Sequence, residues 1–499
     1  MGSLSSRLLG RREPGTEQPE SLASPSYVVG SRKRKRKQSG ECCLDPDSGS
    51  YNYLDPGEKL HITRHISHKK KAKISSTFAY QTFFLNGMMS DIKIRALGKT
   101  WCLHKIFLCQ SEYFAKLFRD SWKESNENII ELEINDQNID VQSLHFVLGS
   151  LYRDEDFLIE PPQVPSILAT ACLLQANDLI YQCNDIMKET INVKTVCRYY
   201  IAADTYGLDY VKKECFKWLL HNLMTHPTIQ LYKEISLVLM KLLISSSDLL
   251  VMQKEVDIYT TLKEWMFLHL NPDWKGSINQ LLVNANNWLS RHMECVDNTT
   301  LLETEEGRPF QPVFKKLRFQ HIICDLASTR LIEKDRLIPS EWLSSVYKQQ
   351  WLTLLKTQKH KEIGPQVMNI KEFEGCSMRC GKRIIRNGKY SWKWSGFHFS
   401  FPLYVIFTSH YIIFKQNTFS QMNECSTCIP VLRHIAFRLT LVNFDSTRNL
   451  SFSKTTGCKI LTFKKDEEQI AMRLDSTVLK FPLYIFCNFL FISSENTGK

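Results

Sequence analysis

The sequence predicts a multidomain chain: a small α/β domain, then a helical region, then a mostly-β C-terminal domain, all preceded by a disordered basic segment. Three observations predict it. Between residues 79 and 190, apolar positions switch from alternation to helical spacing. From 191 to 290 only the helical spacing appears. After 370 the texture turns aromatic and alternating, and residues 373–499 hold 21 of the 56 aromatic side chains.

The 499 residues correspond to roughly three domains at about 150 residues each. With 43% hydrophobic and 23% charged residues, the chain is not collagenous, fully disordered or coiled-coil. Its longest strongly apolar run, Phe481 to Ile492, is about twelve residues, short of the roughly 18–20 that span a bilayer. No secretory signal pattern opens the chain, so the 16 cysteines read as intracellular reduced thiols. Cys172, Cys183, Cys197 and Cys215 fall on apolar helix faces, where a free thiol packs as a small hydrophobe.

The formal charge of +12 is concentrated early: residues 1–80 carry 15 Lys+Arg against 8 Asp+Glu. A basic pI therefore does not imply that the folded body binds nucleic acid. Residues 1–78 are rich in Ser, Gly, Pro and charge and lack apolar periodicity, the composition of disorder. Two basic runs lie inside, Arg32-Lys33-Arg34-Lys35-Arg36-Lys37 and Lys69-Lys70-Lys71 with Lys73. Extended cations of this kind fit an acidic import-receptor groove, and the expectation is nuclear localisation; the plainer alternative is a solvated charge run. Gly2 followed by Ser6 matches the loose myristoylation pattern, which with the basic runs would give two weak membrane signals, against a merely flexible terminus. His61, His65 and His68 read as linker histidines, not metal ligands.

Along 79–190, Asp91-Ile92-Lys93-Ile94 alternates as a strand, and Trp101 to Leu103 returns after Gly98 as a hairpin. Ser111 caps a helix over Glu112–Asp120 whose apolar face continues Leu103, Phe107, Phe114 and Phe118. Ile130, Leu132 and Ile134 alternate with Glu131 and Glu133. Val141, Leu144, Leu148 and Leu151 mark a helix, Pro161-Pro162 breaks the chain, and Leu168, Cys172, Leu179 and Cys183 mark one more helix. From 191 to 290, Gly207 ends one helix, Val211, Cys215, Trp218 and Leu219 face the next, and two further apolar faces follow. Residues 291–369 are a mixed linker and helical region, with a helix starting at Ser340. Residues 370–499 hold short runs such as Tyr390/Trp392/Trp394, Phe397/Phe399/Phe401, Tyr411–Phe414, His434–Val442 and Leu483–Ile492, the pattern of a sandwich or barrel.

No phosphate loop, dinucleotide fingerprint, HExxH or GxSxG occurs, and no cysteine nucleophile stands out, so the expectation is a chain that is not an enzyme and takes no cofactor. The strongest metal candidate is Cys376/Cys380 with Cys425/Cys428, but the x3 spacing and the distance between pairs argue against zinc, and no metal is expected. No zinc-finger or helix-turn-helix reading module appears, so no specific nucleic acid is expected.

The run Ser90-Asp91-Ile92-Lys93-Ile94, His104-Lys105-Ile106-Phe107-Leu108, Ser111-Glu112-Tyr113-Phe114 and Leu117-Phe118 resembles the BTB/POZ domain. Tyr152 and the Ala171–Asp178 stretch extend the match, and 191–290 resembles the BACK helical region. Further on, Pro339-Ser340-Glu341-Trp342-Leu343-Ser344-Ser345-Val346-Tyr347, Ser377-Met378-Arg379-Cys380-Gly381 and the aromatic β region resemble the germ cell-less-like family.

The resemblance implies a homodimer formed through the BTB domain. It also implies binding to cullin-3 after the Leu117–Phe118 helix, where Trp122-Lys123-Glu124 matches the family pattern of a hydrophobic residue, any residue, then Glu. Trp122 either fills a pocket on the partner or packs under the local turn. Asp91 and Lys105 stand where BTB domains often carry a buried charged pair. The leading reading is a substrate adaptor of a cullin-3 ubiquitin ligase, with a substrate protein held by the C-terminal region. The alternative is a nuclear scaffold or transcription co-regulator at the nuclear envelope or matrix.

Overall fold

The computed structural model describes residues 76–119, 128–153, 158–294, 299–358, 369–394, 403–416, 433–464 and 467–492, all within the unit Ala72–Lys499. Strand β1 (Ile92–Ala96) buries Ile92, Ile94 and Ala96 and exposes Lys93 and Arg95. It turns into β2 (Lys99–Leu103) through Leu97-Gly98, both at positive φ (49° and 75°), the turn hand that matches twisted strands. β3 (Ile129–Glu131) adds parallel to β1, so the sheet order is β2-β1-β3. The alternation read over 130–134 holds: Ile130 and Leu132 are buried, Glu131 and Glu133 exposed.

Helix Glu112–Arg119 starts where Ser111 Oγ accepts from Phe114 N–H at 3.4 Å. The Ser111 hydroxyl also donates to the Leu174 carbonyl, tying this helix to a later one. Helix Val141–Ser150 opens on a capping box between Asp140 and Ser143 and buries Leu144 and Leu148. The single helix expected from Leu168 to Cys183 is two, Val164–Leu173 and Asn177–Glu189. Gln175 sits at φ 51°, and Ala176 N–H reaches back to Ala171 C=O, a left-handed C-cap. The four-seven-four spacing conceals the break because both helices bury the same side, and Gln carries none of glycine's signal.

The helices Val196–Thr205, Asp209–Asn222, Ile229–Glu234, Leu237–Ser245, Val256–Leu270 and Ile278–Glu294 follow. Gly207, at φ 76°, ends the first as expected. One buried core runs from Phe84 to Leu343, so the short helices after 300 and the start of helix Ser340–Gln358 pack on the same body as the BTB-type sheet. Lys263 and Asp335, both buried, pair at 2.6 Å, and Tyr259 donates to the same Asp335 oxygen at 2.7 Å.

The C-terminal part is a sandwich of two four-stranded antiparallel sheets. One holds β4 (Met378–Ile384), β11 (Leu483–Ile492), β8 (Arg433–Phe444) and β9 (Leu450–Phe463) in that order. The other holds β10 (Glu468–Arg473), β7 (Tyr411–Gln416), β6 (Leu403–Phe407) and β5 (Tyr390–Trp394). Central strand β11 is buried on both faces: Ile485, Cys487 and Phe489 enter the sandwich core, while Tyr484 and Phe486 meet Leu250, and Leu490 meets Phe373. This explains the apolar run at the C-terminus: it is a two-sided core strand, and among the described residues no helix is long and apolar enough to cross a membrane.

A buried polar seam joins the sandwich to the helices. Arg379 in β4 donates from Nε to both Glu255 carboxylate oxygens (3.1 and 3.2 Å), from Nη2 to the same carboxylate, and from Nη1 to the Ile244 and Ser246 carbonyls (2.8 Å each). Both side chains are fully enclosed. Arg318 donates to the carbonyls of Ser377 and Glu374, and burial beside Arg379 pulls its guanidinium down to about 10. Burial holds His321 down at about 4, so the ring is neutral, and its Nε2–H donates to Cys376 C=O at 2.6 Å. Arg438 pairs with Asp248 at 2.7 Å, and Asn488 donates to Ser247 C=O at 2.7 Å. At Gly381 the strand passes so close that a Cβ would lie 2.1 Å from Val251 O, so only glycine fits.

Glu255→Ala leaves the Arg379 guanidinium enclosed without its counter-charge. The expected loss is about 3–5 kcal/mol in urea unfolding of the full chain, with most of it restored in Glu255→Leu/Arg379→Met. A loss below about 1 kcal/mol would mean the carbonyls alone satisfy Arg379.

Candidate protein-interaction surfaces

The residues leading into the first hairpin build an apolar surface. Phe78, Leu85 and Met88 are half to mostly exposed, Met89 is 86% exposed and Ile106 is 77% exposed. Ring contacts run from Phe78 to Phe83 (6.0 Å) and from Phe83 to His104 (5.4 Å) and Phe107 (6.1 Å), linking this segment to the residues that follow the hairpin. Exposed apolar side chains of this kind make it a candidate interaction surface.

His104 fixes the surface from beneath. Its Nε2 lies 2.8 Å from Met88 C=O, so that nitrogen carries the proton. Nδ1 then accepts from the Tyr152 hydroxyl at 3.1 Å, while the same oxygen accepts from the His104 backbone N–H at 2.9 Å. Phe107 stacks on Tyr152 at 4.3 Å. Burial, with the Asp91 charge adding, raises the Tyr152 phenol, so it stays protonated and able to donate. Tyr152 thereby locks both the Met88 turn and the start of helix Lys105–Leu108, the two elements that present Met89 and Ile106.

Asp91 and Lys105 do come together, but not as a buried charged pair. Asp91 is exposed and Lys105 half-buried, and the Asp91 carboxylate accepts from the Lys105 backbone N–H at 2.9 Å. Asp91 thus acts as a local cap for helix Lys105–Leu108, and the Lys105 ammonium lies 5.5 Å from the Phe118 ring. Trp122, Lys123 and Glu124 lie outside the described residues, as do Gly2, the runs Arg32–Lys37 and Lys69–Lys71 with Lys73, and Cys425 and Cys428. Helix Glu112–Arg119, which leads toward Trp122, is held in place by Asn177 donating to Glu112 (3.0 Å) and Lys116 donating to Gln175 (2.8 Å). Cys376 is exposed at a helix end whereas Cys380 is enclosed in the sandwich core, so the two thiols do not share a site. Among the described residues no group of three His, Cys, Asp or Glu side chains is placed to hold a metal.

The BTB/POZ domain model matches residues 80–191. Germ cell-less protein-like 2 of Mus musculus is 56% identical over 498 residues, 99% of either chain. Germ cell-less protein-like 1 of Homo sapiens is 52% identical over 513 residues, again 99% of either chain. Protein germ cell-less of Drosophila melanogaster is 34% identical over 493 residues, 94% of this chain and 84% of its own. The chain belongs to the germ cell-less-like family.

In this germ cell-less-like chain the apolar surface escaped the sequence reading. Met88, Met89 and Ile106 interrupt no period, and only the Gly87-Met88-Met89 turn, apolar where a loop is normally polar, carries a signal. The Ser377–Gly381 stretch that carried the family likeness is the seam itself: Arg379 pairs with Glu255 and Gly381 permits the close approach.

Tyr152→Phe removes the hydroxyl that serves His104 twice. The expected cost is about 1–3 kcal/mol in thermal or urea unfolding, and a neutral result would mean water replaces it.

Proposed function

We propose that this chain is a non-enzymatic substrate adaptor for a cullin-3 ubiquitin ligase. In this reading the BTB domain dimerises through the surface around Met89 and Ile106. The segment Trp122-Lys123-Glu124, which follows helix Glu112–Arg119 in the sequence, engages cullin-3, and the sandwich holds a substrate protein. The observation that carries it is the buried seam around Arg379, which ties the β-sandwich to the helical region that packs with the BTB domain in one compact unit. An adaptor works by proximity, and a stiff connection fixes the distance between the two bound partners and so keeps their effective concentration high. The basic runs, in the same reading, carry the protein to the nucleus, with association at the nuclear envelope or matrix. The relatives' name, germ cell-less, supports a role in germ cells.

The experiment is sedimentation of the full chain alone and with the cullin-3 N-terminal region. Expected are a dimer and a bound cullin; Met89→Glu/Ile106→Glu yields the monomer, and Trp122→Ala or Glu124→Ala weakens cullin binding about tenfold or more. A well-folded dimer that binds no cullin would leave the protein a nuclear scaffold instead. Replacing both basic runs with alanine is expected to abolish nuclear accumulation of a fluorescent fusion, and unchanged accumulation would sink that assignment.

A further inference from the structure

Among the described residues, strand β9 is a long strand that the sandwich leaves largely uncovered. Among the described strands it pairs with β8 alone and forms the edge of its sheet. Between Ser453 and Ile460 every residue is exposed except half-buried Thr456, so both faces as well as the outer edge meet solvent. Pairing with β8 slips between Arg438 and Thr440, where Thr456 Oγ1 accepts from Leu439 N–H and Gly457 takes φ 65°. These eight residues extend about 26 Å at the usual strand rise. Beside them β10 forms the edge of the opposite sheet, and a cleft of about 470 Å³ lies between the two edges. Lys454, Lys459 and Arg473 line it together with Thr455, Ile470 and Met472.

Its charge is one-sided. Residues 450–464 contain Lys454, Lys459 and Lys464 and no acid. Of the acids on neighbouring segments, Glu468 is paired with Lys415 at 3.0 Å, Glu467 accepts from the Lys464 backbone N–H and the Gln469 amide, Glu374 lies 3.9 Å from Arg438, and Asp475 is occupied by Thr477, whose hydroxyl and backbone hold its carboxyl low, with the Lys454 charge adding. The Lys454 ammonium donates to Arg473 C=O at 3.0 Å, so it bridges the cleft floor.

A long exposed edge strand invites a further strand through its unpaired N–H and C=O groups. The lysines oppose pairing between two copies of β9, because like charges would meet. The same lysines favour a strand of opposite charge, for which ladder hydrogen bonds and Coulomb attraction act together. We propose that the β9 edge and its cleft toward β10 form the docking site for an acidic, extended segment of a partner protein, which adds as a strand alongside β9. This rests on the adaptor reading for calling that partner a substrate.

The test uses the full chain and a fluorescein-labelled ten-residue peptide of alternating Glu and Thr. Binding is expected to weaken with salt and to fall about tenfold or more in Lys454→Glu/Lys459→Glu and, separately, in Arg473→Glu, all three positions being exposed and outside the core. A peptide of the same charge with its central Thr replaced by Pro, which cannot extend the ladder, is expected to bind about tenfold more weakly. Equal binding of the Pro peptide, or of a Lys-Thr peptide, overturns strand addition. Tighter binding of a ten-residue oligo-dT that the same variants abolish overturns it in favour of nucleic acid. Cullin-3 binding, measured on the same variants, is expected to be unchanged. Peptide binding by wild type without cullin binding removes the adaptor reading and leaves the docking site standing, whereas cullin binding without peptide binding does the reverse.

Discussion

The pairing of Arg379 with Glu255 is the constraint on which the rest of the architecture depends. Removing two charges from water costs several kcal/mol each, and only a guanidinium with nearly all its donors used offsets that. Here the carboxylate takes one side of the fork and the carbonyls of Ile244 and Ser246 take the other. Those carbonyls come from the end of helix Leu237–Ser245, and Glu255 immediately precedes helix Val256–Leu270, so one side chain from β4 fixes two helices and the loop between them. Strand β11 then has a helical neighbour on its outer face, and its unbroken apolar character follows.

Much of the fold was legible because local pattern and burial agree. The β1–β2 hairpin has period two and a Leu97-Gly98 turn of the right hand, and Gly207 stops its helix where a left-handed residue is needed. The break at Gln175 was hidden because a non-glycine residue took the left-handed position. The middle of strand β9 is exposed on both faces and so has no alternation to read. At the seam, Arg379 and Glu255 lie 124 positions apart, and nothing local to either announces the other. Asp91, which the resemblance sets beside Lys105, is exposed, and its carboxylate accepts from the Lys105 backbone N–H.

The interaction surfaces divide by chemistry. The face around Met89 and Ile106 is aliphatic and supported from below by neutral hydrogen bonds, the composition of a surface that gains by excluding water. The β9 edge is polar, basic and rich in unused backbone groups, the composition of a surface that reads direction and charge. The two surfaces therefore favour different kinds of docking partner, one apolar and one acidic.

The seam also bears on inheritance. A reading frame that stops before 483 removes β11, the strand that pairs with Arg379's strand β4, and one that stops between 255 and 378 also removes Arg379 and leaves Glu255 without its guanidinium in the helical body. Truncations of this kind are expected to destabilise the helical body by leaving a buried charge uncompensated, which favours clearance of the shortened product.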